Sequence, residues 1–201
     1  MTRERPVTRA DVLDAALTLF AARGYHGTSL KQVAERLGVS TPSLYNHMGS
    51  KGSLLTTIVM DTLEHVVADF DDAIAGVEDP VTRLRRATEV YALRHATHPR
   101  ETLVVNHETV HLDDPTRTEA QNMRRTHERR FRAIIDAGCR EGLFRVESPK
   151  LASFAIREMC VSIARWFREG GEYTAEEVAH QHAVFALGML GVRESSPGNE
   201  S

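Results

Sequence analysis

Prolines and glycines divide the chain after Lys51 into segments of helical length. Within each segment the apolar residues recur every three or four positions, which is the period of an amphipathic helix. The predicted helices span about 51–76, 80–97, 101–112, 115–142, 149–170 and 174–192. The breaks between them fall at Gly76, Pro80, Pro99, Pro115, Pro149 and Gly170-Gly171. Because the sequence lacks the alternating β-branched runs typical of strands, it predicts an all-α fold.

Three shorter helices are predicted before Lys51, which brings the expected total to about nine. The first two end at Gly24 and Gly38, and the third runs from residue 41 to about residue 47. The predicted capping pairs are Thr8 with Asp11 and Ser29 with Gln32, while Ser40 and Ser50 cap the two helices that follow.

Two of these short helices are joined by Gly38-Val39-Ser40 and follow a longer first helix, which is the arrangement of a helix-turn-helix. Helices of about two turns cannot bury a core alone. We therefore expect one shared small core, formed by Leu19, Phe20, Val33, Leu37, Val39, Leu44 and Met48. The predicted organisation is a three-helix helix-turn-helix domain over 1–50, a second helical domain over 51–193 and a disordered tail over 194–201.

The net charge of -3 is unevenly distributed along the chain. Residues 1–51 hold 7 Lys and Arg against 4 Asp and Glu, whereas residues 52–201 hold 18 against 24. The N-terminal part is therefore basic and the remainder acidic. This distribution favours a polyanionic partner for the N-terminal part, although a small domain can also reach such a charge by chance.

Residues 24–55 carry a specific motif, which includes the run Leu-Tyr-x-His-x-x-x-Lys at 44–51 and follows the aromatic Phe20. This segment closely resembles the DNA-binding signature of the TetR family. Met48 stands where that family usually has Phe, and Gly52 where an acidic residue is common. The resemblance implies a dimeric, all-helical transcription regulator, usually a repressor that leaves a palindromic operator in double-stranded DNA when a small-molecule effector binds.

Short polar side chains at the start of the third helix, Thr41 and Ser43, can approach base edges in a major groove and are the predicted base contacts. Lys31 resembles a family position that touches a base or a phosphate. The predicted phosphate contacts are Thr28, Tyr45, His47 and Lys51. Tyr45 is alternatively a core aromatic and His47 a surface histidine. The arm over residues 2–6 is equally compatible with a minor-groove contact and with no role.

The last two predicted helices carry wide apolar stripes. The stripe residues are Leu151, Phe154, Ala155, Met159, Ser162, Ile163 and Trp166, followed by Val178, Ala179, His182, Phe185, Ala186, Met189 and Leu190. One monomer has too few other helices to cover both stripes. We therefore expect a homodimer, as in the family, where the corresponding helices form a four-helix bundle; intramolecular packing is the alternative.

Two segments, 140–145 and 165–171, resemble the C-terminal domains of acyl-CoA-responsive TetR regulators of fatty-acid and sterol catabolism. Arg125, Arg129 and Arg132 share one helical face, where they either pair with CoA phosphates or form a solvated charged surface. The predicted effector-site residues are Leu93, Leu103, Val104, His107, Phe131, Met159, Arg165 and Trp166.

Residues 107–111 read His-Glu-Thr-Val-His, which matches the His-Glu-x-x-His pattern of zinc metallopeptidases. In that pattern the two histidines hold the metal and the glutamate activates water. Five residues are a weak motif, and a persuasive third ligand is lacking. A zinc metallopeptidase and a regulator that senses metal through His107, Glu108 and His111 are the alternatives to a DNA-binding, non-enzymatic role without cofactor or resident metal.

Composition excludes several other classes of protein. No run approaches the roughly 20 apolar residues of a membrane span, and the N-terminus lacks the apolar core of a signal peptide. The two cysteines, Cys139 and Cys160, do not form a C-x-x-C pair. We therefore expect a cytoplasmic protein with reduced thiols and no membrane partner.

Overall fold

A computed structural model describes residues 6–45 and 49–192. These residues form nine α-helices and one short 3₁₀ helix, and the described part of the chain contains no strand. The helices are α1 (Arg9–Arg23), α2 (Leu30–Leu37), α3 (Thr41–Tyr45), α4 (Lys51–Ile74), α5 (Pro80–Thr97), α6 (Pro99–Glu108), α7 (Asp114–Arg140), α8 (Pro149–Trp166) and α9 (Ala175–Met189). The predicted all-α fold is confirmed.

Local capping signals fix the starts of the N-terminal helices as predicted. The hydroxyl of Thr8 accepts a hydrogen bond from the Asp11 amide, and that of Ser29 accepts one from the Gln32 amide. In both cases the N3 side chain accepts from the backbone of the cap residue, which completes a capping box. Ser40 and Ser50 likewise accept from the amides three residues on, at 3.3 and 3.0 Å.

Three predicted boundaries shift. Pro80 and Pro149 begin α5 and α8 as predicted, whereas α6 begins at Pro99, two residues earlier than predicted, because the first turn has no intrahelical use for the missing N–H. The helix predicted over 101–112 ends at Glu108 and continues as a 3₁₀ helix over Thr109–His111. The helix predicted to reach residue 170 ends at Trp166, where Phe167 is extended.

The chain divides into two compact units. Unit 1 lies within residues 1–64 and 100–122, and unit 2 within residues 65–99 and 123–201. In unit 1 the predicted core residues Leu19, Phe20, Val33 and Leu44 are buried. Leu37 and Val39 are half-buried, and Met48 lies outside the described residues. Unit 1 extends beyond the predicted 1–50 domain, because it also includes part of α4 and the α6 region. The domain boundary after residue 50 stays a prediction.

Unit 2 is built around two clusters of buried side chains. The first includes Phe70, Leu84, Phe131, Ile134, Ile135, Phe144, Ile156, Leu187 and Leu190. The second includes Tyr91, Ala92, Ala96, Cys160, Ile163, Val178 and Ala179. Burial raises the pKa of the Cys160 thiol to about 12, so that this cysteine is an unreactive core residue. Across the described residues, no helix combines the length and the apolarity that crossing a membrane requires.

Candidate DNA-binding surface and effector domain

The turn between α2 and α3 depends on Gly38. Its φ of 69° lies in the left-handed region, which costs a residue with a Cβ more than it costs glycine. The Gly38 amide donates to the Glu35 carbonyl at 3.2 Å, and the Val39 amide donates to the Ala34 carbonyl at 3.0 Å. These two bonds form a Schellman motif, which ends α2 abruptly and lets α3 begin three residues later.

The predicted base contacts lie on either side of this turn. Thr41 and Ser43 are half-buried in the first turn of α3. Lys31 is on α2 with its side chain 78% exposed, and its ammonium lies 3.7 Å from Glu35. An exposed pair of this kind contributes little to stability, so Lys31 is available to a phosphate or a base edge.

Lys51 has an internal role that the sequence motif did not indicate. Its Nζ donates to the carbonyls of Tyr25 and Thr28, each at 3.0 Å, and lies 4.1 Å from the centre of the Tyr25 ring. The ammonium therefore fastens the start of α4 to the loop between α1 and α2. Two of its three N–H groups are occupied in this way. The predicted phosphate contact stays a prediction, and it would use the remaining donor.

Thr28 is also held inside this loop. The residue is only 2% exposed, and its hydroxyl donates to the Gly24 carbonyl at 3.0 Å. A hydroxyl so placed presents little surface to a phosphate, and the contact predicted for Thr28 remains untested. The side chain of Tyr45, the whole of His47 and residues 2–5 of the predicted N-terminal arm lie outside the described residues.

A second group in unit 1 joins the α1–α2 loop to the 3₁₀ helix after α6. The ring nitrogens His26 Nε2 and His111 Nδ1 are 3.2 Å apart, and His111 Nε2 is 3.5 Å from a carboxylate oxygen of Glu108. The His111 ring is also stacked on Tyr25 with a centroid distance of 5.5 Å. His26 belongs to no metal-binding or catalytic pattern in the sequence. Sequence analysis therefore missed it, because only the folded chain brings it to His111.

This arrangement does not favour the metallopeptidase hypothesis. The His-Glu-x-x-His segment changes from α-helix to 3₁₀ helix after Glu108, so its two histidines do not follow one continuous α-helical turn. His107 is exposed, whereas His111 contacts His26 and Glu108. Among the residues that the structure describes, no group of three or more histidine, cysteine or acidic side chains is suited to hold a metal ion.

The predicted effector-site residues are divided between the two units. Leu103, Val104 and His107 belong to unit 1, where Val104 is buried and His107 is exposed. The other predicted residues, Leu93, Phe131, Met159, Arg165 and Trp166, belong to unit 2. There Phe131 is a fully buried core residue, and Met159 packs against both buried clusters. Arg165 and Trp166 are exposed.

Two surface features of unit 2 bear on ligand binding. Leu93 lines an open groove of about 430 Å³ whose walls come from the end of α4, α5 and α9 and include Arg86 and Glu176. On α7, Arg125 and Arg129 are exposed, whereas Arg132 lies between Glu128 at 3.9 Å and Asp136 at 3.8 Å. At Arg132, two acidic side chains therefore compete with a phosphate.

The interior of unit 2 contains a group of polar side chains, which we call the polar cluster. It comprises Tyr91 and His95 on α5, His127 on α7 and Arg157 on α8, together with Thr88 and Ser153, which are buried one helical turn before Tyr91 and Arg157 respectively. The Tyr91 ring lies 4.3 Å from that of His95 and 5.2 Å from that of His127, between centroids. The guanidinium carbon of Arg157 is 5.9 Å from the centre of the Tyr91 ring. Sequence analysis missed all six residues, because each is an isolated polar position on an amphipathic helix.

Both imidazoles of the polar cluster are neutral near pH 7. Burial lowers the pKa of His127 to about 3, and the charges of Arg157 and Arg130 act in the same direction. Burial also lowers the pKa of His95 to about 4, although the hydrogen bond to the Tyr91 carbonyl, at 2.6 Å, opposes this shift. The Tyr91 ring that Arg157 approaches is therefore flanked by two neutral imidazoles.

The α8 and α9 stripes are only partly covered in the single chain. Ile163, Val178 and Ala186 are buried, as packing within one chain requires. Large apolar side chains on the two helices nevertheless remain 46–69% exposed, namely Leu151, Phe154, Trp166, Phe185 and Met189. Trp166 and Phe185 are bridged by the His182 ring, which is stacked on Trp166.

Individual relatives resemble the chain over nearly its whole length. The HTH-type transcriptional repressor KstR2 of Rhodococcus jostii (strain RHA1) is 29% identical over 194 residues, which are 95% of this chain and 93% of the relative. A bacterial regulatory protein of the tetR family from Rhodococcus RHA1 has a solved structure with a TM-score of 0.84 and 26% identity, covering 94% of this chain and 100% of that one. The fold is also that of AibR, solved in complex with isovaleryl coenzyme A and operator DNA, with a TM-score of 0.78, 24% identity and coverage of 88% and 96%.

Family models match both parts of the chain. The model for bacterial regulatory proteins of the tetR family matches residues 12–58, which contain the helix-turn-helix. The model for the tetracyclin repressor-like C-terminal domain matches residues 77–190, which contain the polar cluster and the exposed stripe. Together these matches cover most of the chain, namely the helix-turn-helix and the larger C-terminal helical part. The chain is thus a DNA-binding transcriptional regulator of the TetR family.

Proposed function

We propose that the protein is a repressor that binds a pseudo-palindromic operator as a homodimer and releases it when a small-molecule effector binds. The observation that carries this proposal is the α2–turn–α3 element, in which the Schellman turn at Gly38 presents Thr41, Ser43 and exposed Lys31 together. A short helix with small polar residues in its first turn fits a major groove. The repressor KstR2, named above, supports the direction of regulation.

The homodimer follows from the exposed stripe on α8 and α9. Large apolar side chains that stay half exposed in a folded chain indicate a surface that another protein covers. A second copy presents the same stripe, so a twofold axis can pair the two self-complementary surfaces. The same axis would present two recognition elements to two operator half-sites. Because the family is one of bacterial DNA-binding regulators, we expect the protein in the cytoplasm.

Selection of duplexes from a random library tests the DNA-binding part of the proposal. We expect recovery of twofold-related half-sites, with an affinity that falls steeply as salt is raised because phosphate contacts release counterions. At particular base pairs, Thr41→Ala and Ser43→Ala should each change the ratio of affinities for the preferred base and the other bases by about tenfold. The salt dependence of binding should stay unchanged. Recovery of sites without twofold symmetry would refute the operator model.

For the effector we propose an acyl-CoA or a related amphipathic metabolite. Arg125 and Arg129 are exposed on α7, where they could pair with the CoA phosphates, and a protein of the same fold binds isovaleryl coenzyme A together with operator DNA. A ligand releases DNA only if it binds the DNA-free conformation more tightly than the DNA-bound one. Titration of acyl-CoAs, free acids and neutral aromatic drugs into the protein–operator complex is the test. Release by neutral aromatics without any response to thioesters would contradict this effector class.

A further inference from the structure

The hydroxyls of the polar cluster lack partners that comparable residues have. Helical threonines elsewhere in the chain donate to the carbonyl four residues earlier, as Thr62 does to Ile58 and Thr109 to Val105. Thr88 is fully buried, and its hydroxyl makes no hydrogen bond. The Ser153 hydroxyl is in the same state on α8. Buried donors without partners are rare in native proteins, and two of them within one cluster indicate a missing partner.

Among the described residues, Arg157 differs from two other arginines of unit 2 in having no carboxylate partner. Arg94 pairs with Asp69 at 2.5 Å, and Arg130 pairs with Asp71. Within the described residues no carboxylate forms an ion pair with Arg157, and its Nε is buried without a hydrogen-bond partner. The imidazoles of His95 and His127 are neutral near pH 7 and cannot supply a counter-charge, since protonation would only add positive charge. Arg157 is half-buried, and a guanidinium that is partly withdrawn from water without a counter-ion is stabilised by an anion that joins it.

We propose that the polar cluster is a carboxylate-binding site, in which Arg157 is the counter-ion and the Thr88 and Ser153 hydroxyls donate hydrogen bonds to the same group. A carboxylate matches the planar guanidinium and accepts several donors at once. The apolar body of the ligand would pack among the aromatic rings beside the cluster, Phe70, Phe131 and Tyr91. This inference rests on the proposal that unit 2 holds the effector, and it defines that effector as an organic acid.

Calorimetry with the full-length protein, in the absence of DNA, tests the site. The probes are octanoate and naphthylacetate, each compared with its primary amide, which keeps the shape and removes the charge. We expect at least one acid to bind about tenfold or more tightly than its amide, since a buried charge pair distinguishes them. Octanoyl-CoA and the CoA monothioester of octanedioate show whether the carboxylate comes from a free acid or from the far end of an acyl chain.

Substituted proteins show which residues cause the preference for an acid over its amide. Arg157→Gln should reduce the ratio of acid to amide affinity to about one, and Arg157→Lys should restore part of it. Lys150→Gln, which removes an exposed charge from the same helix, should leave the ratio unchanged. Thr88→Val should weaken acid binding several-fold without lowering the melting temperature, because the hydroxyl has no partner in the free protein. This second variant keeps the test decisive if Arg157→Gln does not fold.

The outcomes separate this inference from the proposed function. Equal affinity for the acids and their amides in the native protein overturns the carboxylate site, and so does a preference that survives in Arg157→Gln. If acyl-CoAs nevertheless release operator DNA, the proposed function holds without it. Conversely, acid binding that depends on Arg157 but never changes DNA affinity supports the site and contradicts effector control.

Discussion

Single side chains in unit 1 stabilise the fold at positions where the sequence motif indicated only a contact with DNA. Lys51 is the clearest case, because its ammonium is held by two carbonyls and by the face of the Tyr25 ring. A residue can bind a phosphate and also fasten the loop that carries it. The two roles are separable, since only the structural one affects the protein in the absence of DNA.

Replacing Lys51 by Met, which keeps the hydrocarbon stem, should lower the free energy of unfolding by about 1–3 kcal/mol because two charge-assisted hydrogen bonds are lost. Lys31→Met is the matched control: its exposed pair with Glu35 contributes about 0–1 kcal/mol. Both variants should weaken DNA binding. Urea denaturation of the free proteins measures the difference, and equal stability of the two variants would argue against the internal role of Lys51.

The buried histidines make stability depend on pH. In the unfolded chain a histidine has a pKa of about 6.5, whereas His127 and His95 in the folded protein have pKa values of about 3 and about 4. As the pH falls below about 6.5, the unfolded chain therefore takes up protons that the folded chain does not, and the folded state loses stability. Each histidine contributes a slope of about 1.4 kcal/mol per pH unit until its folded pKa is reached.

His127→Gln should remove one of these two contributions. Urea titrations between about pH 7 and about pH 5 should show a shallower loss of stability in the variant than in the native protein. An unchanged slope would mean that the His127 imidazole is already protonated in the folded protein or does not titrate differently on unfolding.

Helices were predictable where their signals are local. The caps at Thr8 and Ser29 depend on residues three positions away, and the end of α2 depends on Gly38 itself, so sequence alone located these boundaries. The end of α6 was not predictable, because His111 in the following 3₁₀ helix contacts His26, which is distant in sequence. The polar cluster was missed for the same reason, since three separate helices contribute its residues.

Gly38→Ala tests the turn between α2 and α3. The left-handed conformation should cost about 1–2 kcal/mol of stability, although open space surrounds the added Cβ. Gly76→Ala is a matched control, since Gly76 has a φ of 67° and equally open surroundings after α4. Both variants should lose similar stability, but only Gly38→Ala should reduce DNA affinity, which mobility shifts would measure. If both variants lowered DNA affinity by a similar factor, the turn at Gly38 would have no specific role in DNA binding.

The exposed stripe predicts the oligomeric state of the protein. Phe185 belongs to this stripe and is 52% exposed, and a glutamate there would place like charges near each other across a twofold axis. Phe185→Glu should raise the dimer dissociation constant by about tenfold or more and weaken operator binding in parallel.

Val110→Glu is the control for that substitution, because Val110 is 63% exposed in unit 1, outside the stripe. It should remain dimeric in sedimentation experiments. A dimeric Phe185→Glu variant would show that the two chains associate through another surface.

Unit 1 is assembled from segments that are far apart in the chain. Arg100 pairs with Asp14 at 3.0 Å and donates to the Thr18 hydroxyl at 2.7 Å, and His111 meets His26. The helix-turn-helix therefore has part of its support encoded in residues 100–122. Exchange of operator specificity between relatives by grafting residues 1–50 alone would separate the recognition helices from these contacts. A graft that also carries residues 100–122 would transfer these contacts. The segments that support DNA recognition are therefore not contiguous in the sequence.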